Sequence, residues 1–413
     1  MPDTFIPEAT FTWDTAYARR AQRMRASEIR ELLKLLDQPG ILSFAGGIPD
    51  PMLFPTAAIA QAAAAILADP IQGPAALQYS VSEGYTPLRH WLASHMASLG
   101  VPCTPDNIVI TAGSQQGLDF LGKLLLSDND TALVTSPTYL GALQAFAPYE
   151  SRYDRLDLHG NTTPQAHRET AHAHASRIAL AYAVPDFANP TGETLDEPAR
   201  LRLLALVDAL NIPLIEDAAY TAIRFEGTPI PSCLALEISA RGHIDRARTI
   251  YAGTFSKTIA PGLRVGWLCA AKPLIDKVVL AKQAADLHAP GLNQMLIHRV
   301  ASTEYATLVP KTVALYRARR DAMLQALETH MPPGVTWTRP QGGMFTWLTL
   351  PESMDATALL PRAIKEHHIA YVPGAAFHPD GAGRNTLRLN YSLQPEPIIA
   401  EGMARLGTLL AQA

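Results

Sequence analysis

Lys257 closes the run Gly253-Thr254-Phe255-Ser256-Lys257, and Pro261-Gly262-Leu263-Arg264-Val265-Gly266-Trp267 follows shortly after. A lysine set among small hydroxyl residues in a loop can be held away from bulk water. Its amine then gives up its proton more easily and becomes a nucleophile able to form a Schiff base with a carbonyl. Thr254, Ser256 and Arg264 bring the hydroxyl and guanidinium donors that a phosphate group requires. Taken alone, the same residues also fit a surface lysine beside a structural arginine, so other segments must decide.

Asp217 ends the apolar run of Ile215-Glu216-Asp217-Ala218-Ala219-Tyr220. An unpaired carboxylate at the end of a buried strand is costly. It calls for a cationic partner such as a protonated ring nitrogen, the plainer alternative being a cap on the following turn. Tyr220 can offer its phenol to an oxygen on that ring, and so can the amide of Asn189 in the turn Asn189-Pro190-Thr191-Gly192. Asn-Pro-x-Gly is also common turn wording. In Thr111-Ala112-Gly113-Ser114-Gln115-Gln116 a strand passes into a helix. Free N–H groups and the helix dipole at Ser114 and Gln115 favour a phosphate there, although Ser114 serves equally as an ordinary N-cap. Tyr139, at the next strand-to-helix turn, can stack on an aromatic ring or simply fill the core.

These groups matter only if the fold gathers them. From about residue 105, short β-rich runs alternate with amphipathic helices. Ile108–Thr111, Ala132–Thr135, Ile178–Val184, Pro213–Ile215, Thr249–Tyr251 and Val265–Cys269 read as strands; Gln115–Leu126, Leu140–Phe146 and Glu197–Leu210 read as helices. Continuous apolar strands joined by helices predict an α/β domain with a mainly parallel sheet covered on both faces, whose ligands gather at the strands' carboxyl ends. The last third differs. A helical stretch from about Glu304 to His330, with Pro310 as a kink or restart, precedes strands near Met344–Leu350, Ile369–Val372 and Thr386–Tyr391 and a final helix near Ile398–Leu410. This predicts a smaller α+β domain completed by an N-terminal helix, on which Ile29, Leu32, Leu33 and Leu36 share one face.

The chain has 413 residues, 48% of them hydrophobic and 17% charged, enough for two or three cores of about 150 residues each and against wholesale disorder. A net charge of −4 gives no reason to expect nucleic acid or an anionic membrane as partner. The three cysteines, Cys103, Cys233 and Cys269, form no CxxC pair, so neither a disulfide framework nor a metal site is expected. No secretory leader is visible, and the apolar run Ala57–Ala68 falls short of the roughly 20 residues a bilayer requires. A cytoplasmic location is the expectation.

Together these segments resemble the fold-type I pyridoxal 5'-phosphate (PLP) enzymes, the class I/II aminotransferases, and within them the 2-aminoadipate aminotransferase and kynurenine aminotransferase II-like branch. The resemblance covers nearly the whole chain. Besides the motifs above it rests on Ser27–Leu33, Ser43–Pro49, Leu77–Ser80 with Glu83-Gly84-Tyr85, Ala284–His288, Gly342–Phe345 and Asn385–Leu389. The wording departs from relatives at Ala218 and at Pro185–Ala188, beside the ring-binding residues rather than on them.

The resemblance implies a large PLP-binding domain over 48–290 with a seven-stranded sheet, and a small domain made of 1–47 and 291–413. It implies PLP held covalently by Lys257, with Asp217 on the pyridinium nitrogen, Tyr220 and Asn189 on the phenolic oxygen and Tyr139 stacked on the ring. Ser114, Gln115, Thr254, Ser256 and Arg264 would cup the phosphate. Tyr79 would reach the active site of a neighbouring subunit in a homodimer. Arg388 would bind the substrate α-carboxylate with help from Asn189 and the Gly46-Gly47 backbone, and Arg30 a distal carboxylate. The implied reaction moves the amino group of an L-amino acid (2-aminoadipate, glutamate, leucine-like or aromatic) to a 2-oxo acid such as 2-oxoglutarate; a PLP-dependent lyase or decarboxylase is the alternative.

Overall fold

Strand β1 (Leu42–Ser43) precedes seven strands that share one sheet: β2 (Ile108–Thr111), β3 (Thr131–Val134), β4 (Arg152–Arg155), β5 (Ile178–Ala183), β6 (Leu214–Asp217), β7 (Thr249–Thr254) and β8 (Gly266–Cys269). The structure, a computed structural model, describes residues 12–24, 40–158 and 160–413. The sheet order is β2-β8-β7-β6-β5-β3-β4. The pairs from β7 through β6, β5 and β3 to β4 are parallel, while β8 runs antiparallel to both β7 and β2. The sheet is therefore mainly parallel, as expected.

Both faces are covered because alternate residues of each strand point opposite ways. Ala132, Val134, Leu180, Tyr182, Ile215 and Ile250 pack with Leu118 and Leu121 of helix Ser114–Leu125 and Val278 of helix Lys272–Ala285. Leu133, Ala181, Ala183 and Leu214 pack instead with Leu203, Leu206 and Val207 of helix Glu197–Leu210. The edge strand β4, Arg-Tyr-Asp-Arg, has no apolar run to announce it and is partly exposed; charged side chains are what keep such an edge from pairing with another chain.

The last third holds β9 (Thr336–Trp337), β10 (Phe345–Thr349), β11 (Ile369–Ala370), β12 (Val372–Pro373) and β13 (Thr386–Asn390). A four-stranded antiparallel sheet runs β12-β13-β10-β9, and β11 pairs in parallel with β1. The apolar run Ile369–Val372 thus serves two sheets. The β1–β11 pairing brings the segment just ahead of Gly46-Gly47 to the C-terminal part of the chain. The long helix is one piece, Gly291–His330, and passes through Pro310 rather than restarting there. Pro310 and Ala306, whose carbonyl loses its helical partner, are both exposed, so water can satisfy it. The helix expected around Ile29, Leu32, Leu33 and Leu36, with Arg30 on it, lies outside the described residues.

Candidate active site

The parallel strands β5, β6 and β7 end side by side; the chain beyond β5 and β7 supplies Asn189 and Lys257, and the end of β6 supplies Asp217, to one place. Asp217 is the last residue of β6. In the next strand Tyr182 is in register with Ile215, so Tyr182 and Asp217 project from the same face. The Tyr182 hydroxyl donates to Asp217 Oδ2 at 2.8 Å, whereas the buried Oδ1 has no hydrogen-bond partner. Burial pushes the Asp217 carboxyl up to about 6, against the pull of the Tyr182 hydrogen bond, the Ala219 backbone amide and the Lys257 charge.

Lys257 Nζ donates to the Gly47 carbonyl at 2.9 Å. Its pKa falls to about 8, first through burial and then through the nearby charges of Arg388 and Arg264, with Asp217 opposing. The amine thus sheds its proton far more readily than a solvated lysine. Tyr220 is buried and meets the Phe345 ring edge-on at 5.8 Å. Burial raises its phenol pKa, and the Asn189 amide pulls the other way.

Arg388, on β13, is buried between the rings of Phe345 and Phe377, its guanidinium carbon 4.2 and 4.9 Å from their centroids. Nη1 donates to Asn189 Oδ1 at 2.7 Å and Nη2 to the Ala45 carbonyl at 2.7 Å, while Nε has no partner. Among the described residues no carboxylate pairs with it, and burial lowers its pKa to about 10. A planar cation held by aromatic faces and neutral acceptors is pre-aimed at an anion that none of the described residues provides.

A second group lies where β2 passes into helix Ser114–Leu125. Gly113 takes φ +83 before the first helical turn, a conformation that favours glycine, and the Arg264 guanidinium lies where its Cβ would be. The N–H groups of Ser114 and Gln115 have no intrahelical acceptor. The Gln115 side chain is turned aside, its Nε2 donating to the Gly141 carbonyl at 2.6 Å and its Oε1 accepting from the Tyr139 hydroxyl at 3.4 Å. Thr254 Oγ1 donates to Ser256 Oγ at 2.9 Å and accepts from the Ser256 amide at 3.1 Å. Arg264 is exposed and reaches the Ala112 carbonyl at 3.4 Å. Hydroxyls, helix amides and a guanidinium make an anion cradle.

Of the residues singled out from the sequence, Tyr79 differs in being 79% exposed, edge-on to His288 at 6.0 Å. Arg30 falls outside the described residues. Three contributors escaped the sequence reading: Tyr182, the Phe345–Phe377 clamp and the Ala45 carbonyl. Only Tyr182 carries a signal, being a hydroxyl inside the otherwise aliphatic run Ile178–Val184.

The profile of the family described as aminotransferase class I and II matches residues 41–400. This chain belongs to that family. The aminotransferase is 42% identical over 401 residues to a 2-aminoadipate transaminase of Thermus thermophilus, with 97% of each chain covered. It is 38% identical over 409 residues to aromatic-amino-acid aminotransferase 1 of Thermococcus litoralis, covering 98% of this chain and 96% of that one. Among solved structures it resembles the Thermus thermophilus α-aminoadipate aminotransferase complexed with N-(5'-phosphopyridoxyl)-L-leucine, with a TM-score of 0.87, 40% identity and coverage of 97% and 99%. The fold is that of the fold-type I enzymes, and the protein is a PLP-dependent aminotransferase. The residues fit the cofactor: the bare Asp217 Oδ1 suits a ring N–H, and the cradle at Ser114, Thr254 and Arg264 suits its phosphate. No described helix is long and apolar enough to cross a membrane, and the described residues contain no His/Cys/Asp/Glu cluster able to hold a metal.

Proposed function

We propose that this aminotransferase carries PLP covalently on Lys257 Nζ and transfers the amino group of an L-amino acid to a 2-oxo acid such as 2-oxoglutarate. The observation that carries the reading is the buried Arg388, unpaired with any carboxylate among the described residues, beside a lysine whose pKa is depressed to about 8. When bound, PLP supplies an electron sink for the charge left on the substrate carbon. Asp217 Oδ1 accepts the ring N–H, Tyr220 and Asn189 hold the ring oxygen, and Tyr139 stacks on the ring. Ser114, Gln115, Thr254, Ser256 and Arg264 hold the phosphate. Arg388 grips the substrate α-carboxylate through its fork, assisted by Asn189 and the Gly46-Gly47 backbone. Lys257 Nζ, set free when the substrate amine takes its place, would carry the proton from the substrate Cα to the cofactor carbon C4′, which requires an amine neutral near working pH.

Donors of the 2-aminoadipate, glutamate, leucine-like and aromatic classes are proposed, in keeping with the substrates named for the relatives above. Arg30 is assigned to a distal substrate carboxylate; Arg30→Ala should weaken dicarboxylic donors selectively, and an equal loss for leucine would refute that role. The working unit is a homodimer, with Tyr79 completing the partner's phosphate site. In support, Tyr79 is exposed, as are the apolar residues Ile71, Leu77 and Val81 of the same stretch of chain. The three free cysteines fit a reducing, cytoplasmic setting.

Lys257→Ala is the decisive experiment. Turnover and the cofactor's visible absorbance should both vanish, and full retained activity would end the assignment. In the wild type, glutamate formed from a donor and 2-oxoglutarate supports transamination; ammonia or CO₂ release instead would favour a lyase or decarboxylase.

A further inference from the structure

We propose that Tyr182 is a positioning residue for the reaction, its hydroxyl clamping one oxygen of Asp217 so that the other is held bare and ionised for the cofactor's ring nitrogen. The inference rests on the seat assigned above to that ring. A carboxyl group turns readily about its terminal torsion, which has broad, roughly two-fold preferences. Nothing intrinsic decides which oxygen faces the ring. The 2.8 Å bond from Tyr182 to Oδ2 removes that equivalence and leaves Oδ1 as the acceptor without a partner.

The clamp is itself held. Tyr182 is fully buried, and its ring meets Phe146 edge-on at 6.0 Å with an interplanar angle of 81°. A phenylalanine would fill the same volume without the hydroxyl, so packing alone does not account for the tyrosine. Toward an ionised carboxylate a phenol can only donate, and a donated bond favours the charged form. The groups facing Asp217 are Tyr182 from β5, Tyr220 just beyond β6, and Lys257 beyond β7; Tyr139, ahead of helix Leu140–Phe146, faces both Tyr182 and Tyr220. Of these only Lys257 is a cation, and the proposed chemistry occupies its amine. Without the Tyr182 hydrogen bond, only the Ala219 backbone amide and Lys257 favour the charge, so Asp217 in these dry surroundings takes up a proton more readily and holds one on the ring nitrogen less well.

The test loads wild type and Tyr182→Phe with PLP labelled with ¹⁵N in the ring, and follows the nitrogen chemical shift across pH beside kcat, KM and circular dichroism. Losing one hydrogen bond to a charged group is worth about tenfold at the low end. The expected result is a ring nitrogen that loses its proton about one pH unit earlier, with kcat down about tenfold, KM for the amino donor little changed and the dichroism intact. A Phe variant with the wild-type ¹⁵N profile and wild-type kcat overturns the proposal while leaving the PLP seat standing. A wild type that takes up no cofactor overturns both. If the Phe variant does not fold, 3-fluorotyrosine placed at 182 keeps the ring and supplies a stronger donor. The ring nitrogen should then keep its proton to higher pH, and no movement, or movement the other way, overturns the clamp.

Discussion

Glu216 and Asp217 are neighbours on β6, both buried, yet they live in opposite kinds of surroundings. Glu216 accepts from the amides of Cys233 at 2.8 Å and Leu234 at 3.0 Å, so both its oxygens are occupied at a helix N-terminus. Asp217, on the other face, has one oxygen occupied and one bare. Two buried arginines repeat the contrast. Arg200 is saturated by Asp186 at 2.7 Å and by the carbonyls of Leu195, Pro231 and Pro185. Arg388 keeps a bare Nε and, among the described residues, no acid. Glu216 and Arg200 are answered from within the chain; at the carboxyl ends of β5 to β7 some buried charges are left for a ligand to answer. Burial alone therefore does not mark the active site. A convergence of buried charges left incompletely satisfied, as at Asp217 and Arg388, does.

The contrast is tested most strongly at the two arginines. Arg388→Met should cut kcat/KM for the amino donor at least about 100-fold, close to 3 kcal/mol, because a buried fork for a carboxylate is lost. Cofactor uptake should stay near wild type. The same change should leave the unloaded protein as stable or more stable, by about 1 kcal/mol, since no internal anion loses a partner. Arg200→Met should do the reverse. It strands Asp186 with Arg224 alone and lowers stability by about 3 kcal/mol. Urea unfolding of the unloaded variants, paired with steady-state kinetics, checks both. Equal destabilisation by the two would erase the distinction.

How much of this was legible in the sequence follows the same line. The sheet's inner strands read as apolar runs because both faces are buried, and β4 did not because an edge strand carries Arg152 and Arg155 for a different reason. Helices such as Thr86–Ser98 and Cys233–Arg241 carry weaker signals and emerge only in the structure. Lys257, Asp217 and Asn189 are recognisable by residue type and local spacing, since each ends or follows a strand, whereas Arg388, inside β13, is picked out only by the family resemblance. Tyr182 shows in the sequence only as a hydroxyl in an aliphatic run; its contact with Asp217 depends on the β5–β6 register and the Phe345–Phe377 clamp on the packing of segments remote in sequence, neither of which a local pattern encodes. The Ala45 carbonyl is invisible in principle, because any residue supplies one.

The smaller test concerns Asp217 without its cofactor. Its pKa stands near 6 in the folded chain, raised mainly by burial, against about 3.9 for an unperturbed aspartate. Between those values the unfolded chain has ionised while the folded one still holds the proton. The unfolded state then binds fewer protons, so the stability of the unloaded protein falls as pH rises from about 4 to 6 and is flat above. Asp217→Asn keeps an acceptor for Tyr182 and removes the charge. It should flatten that slope and raise stability at pH 7 by about 2 kcal/mol, read as a higher urea midpoint, while transamination collapses. Glu216→Gln gives the internal control. Its pKa is raised to about 7, again mainly by burial, but two amides favour its charged form, so the amide substitution weakens the bonds to Cys233 and Leu234 and offsets its own gain. A stability gain at 216 matching that at 217 would show that the bare oxygen of Asp217 carries no special cost, and the division between answered and unanswered charge would fail at its simplest point.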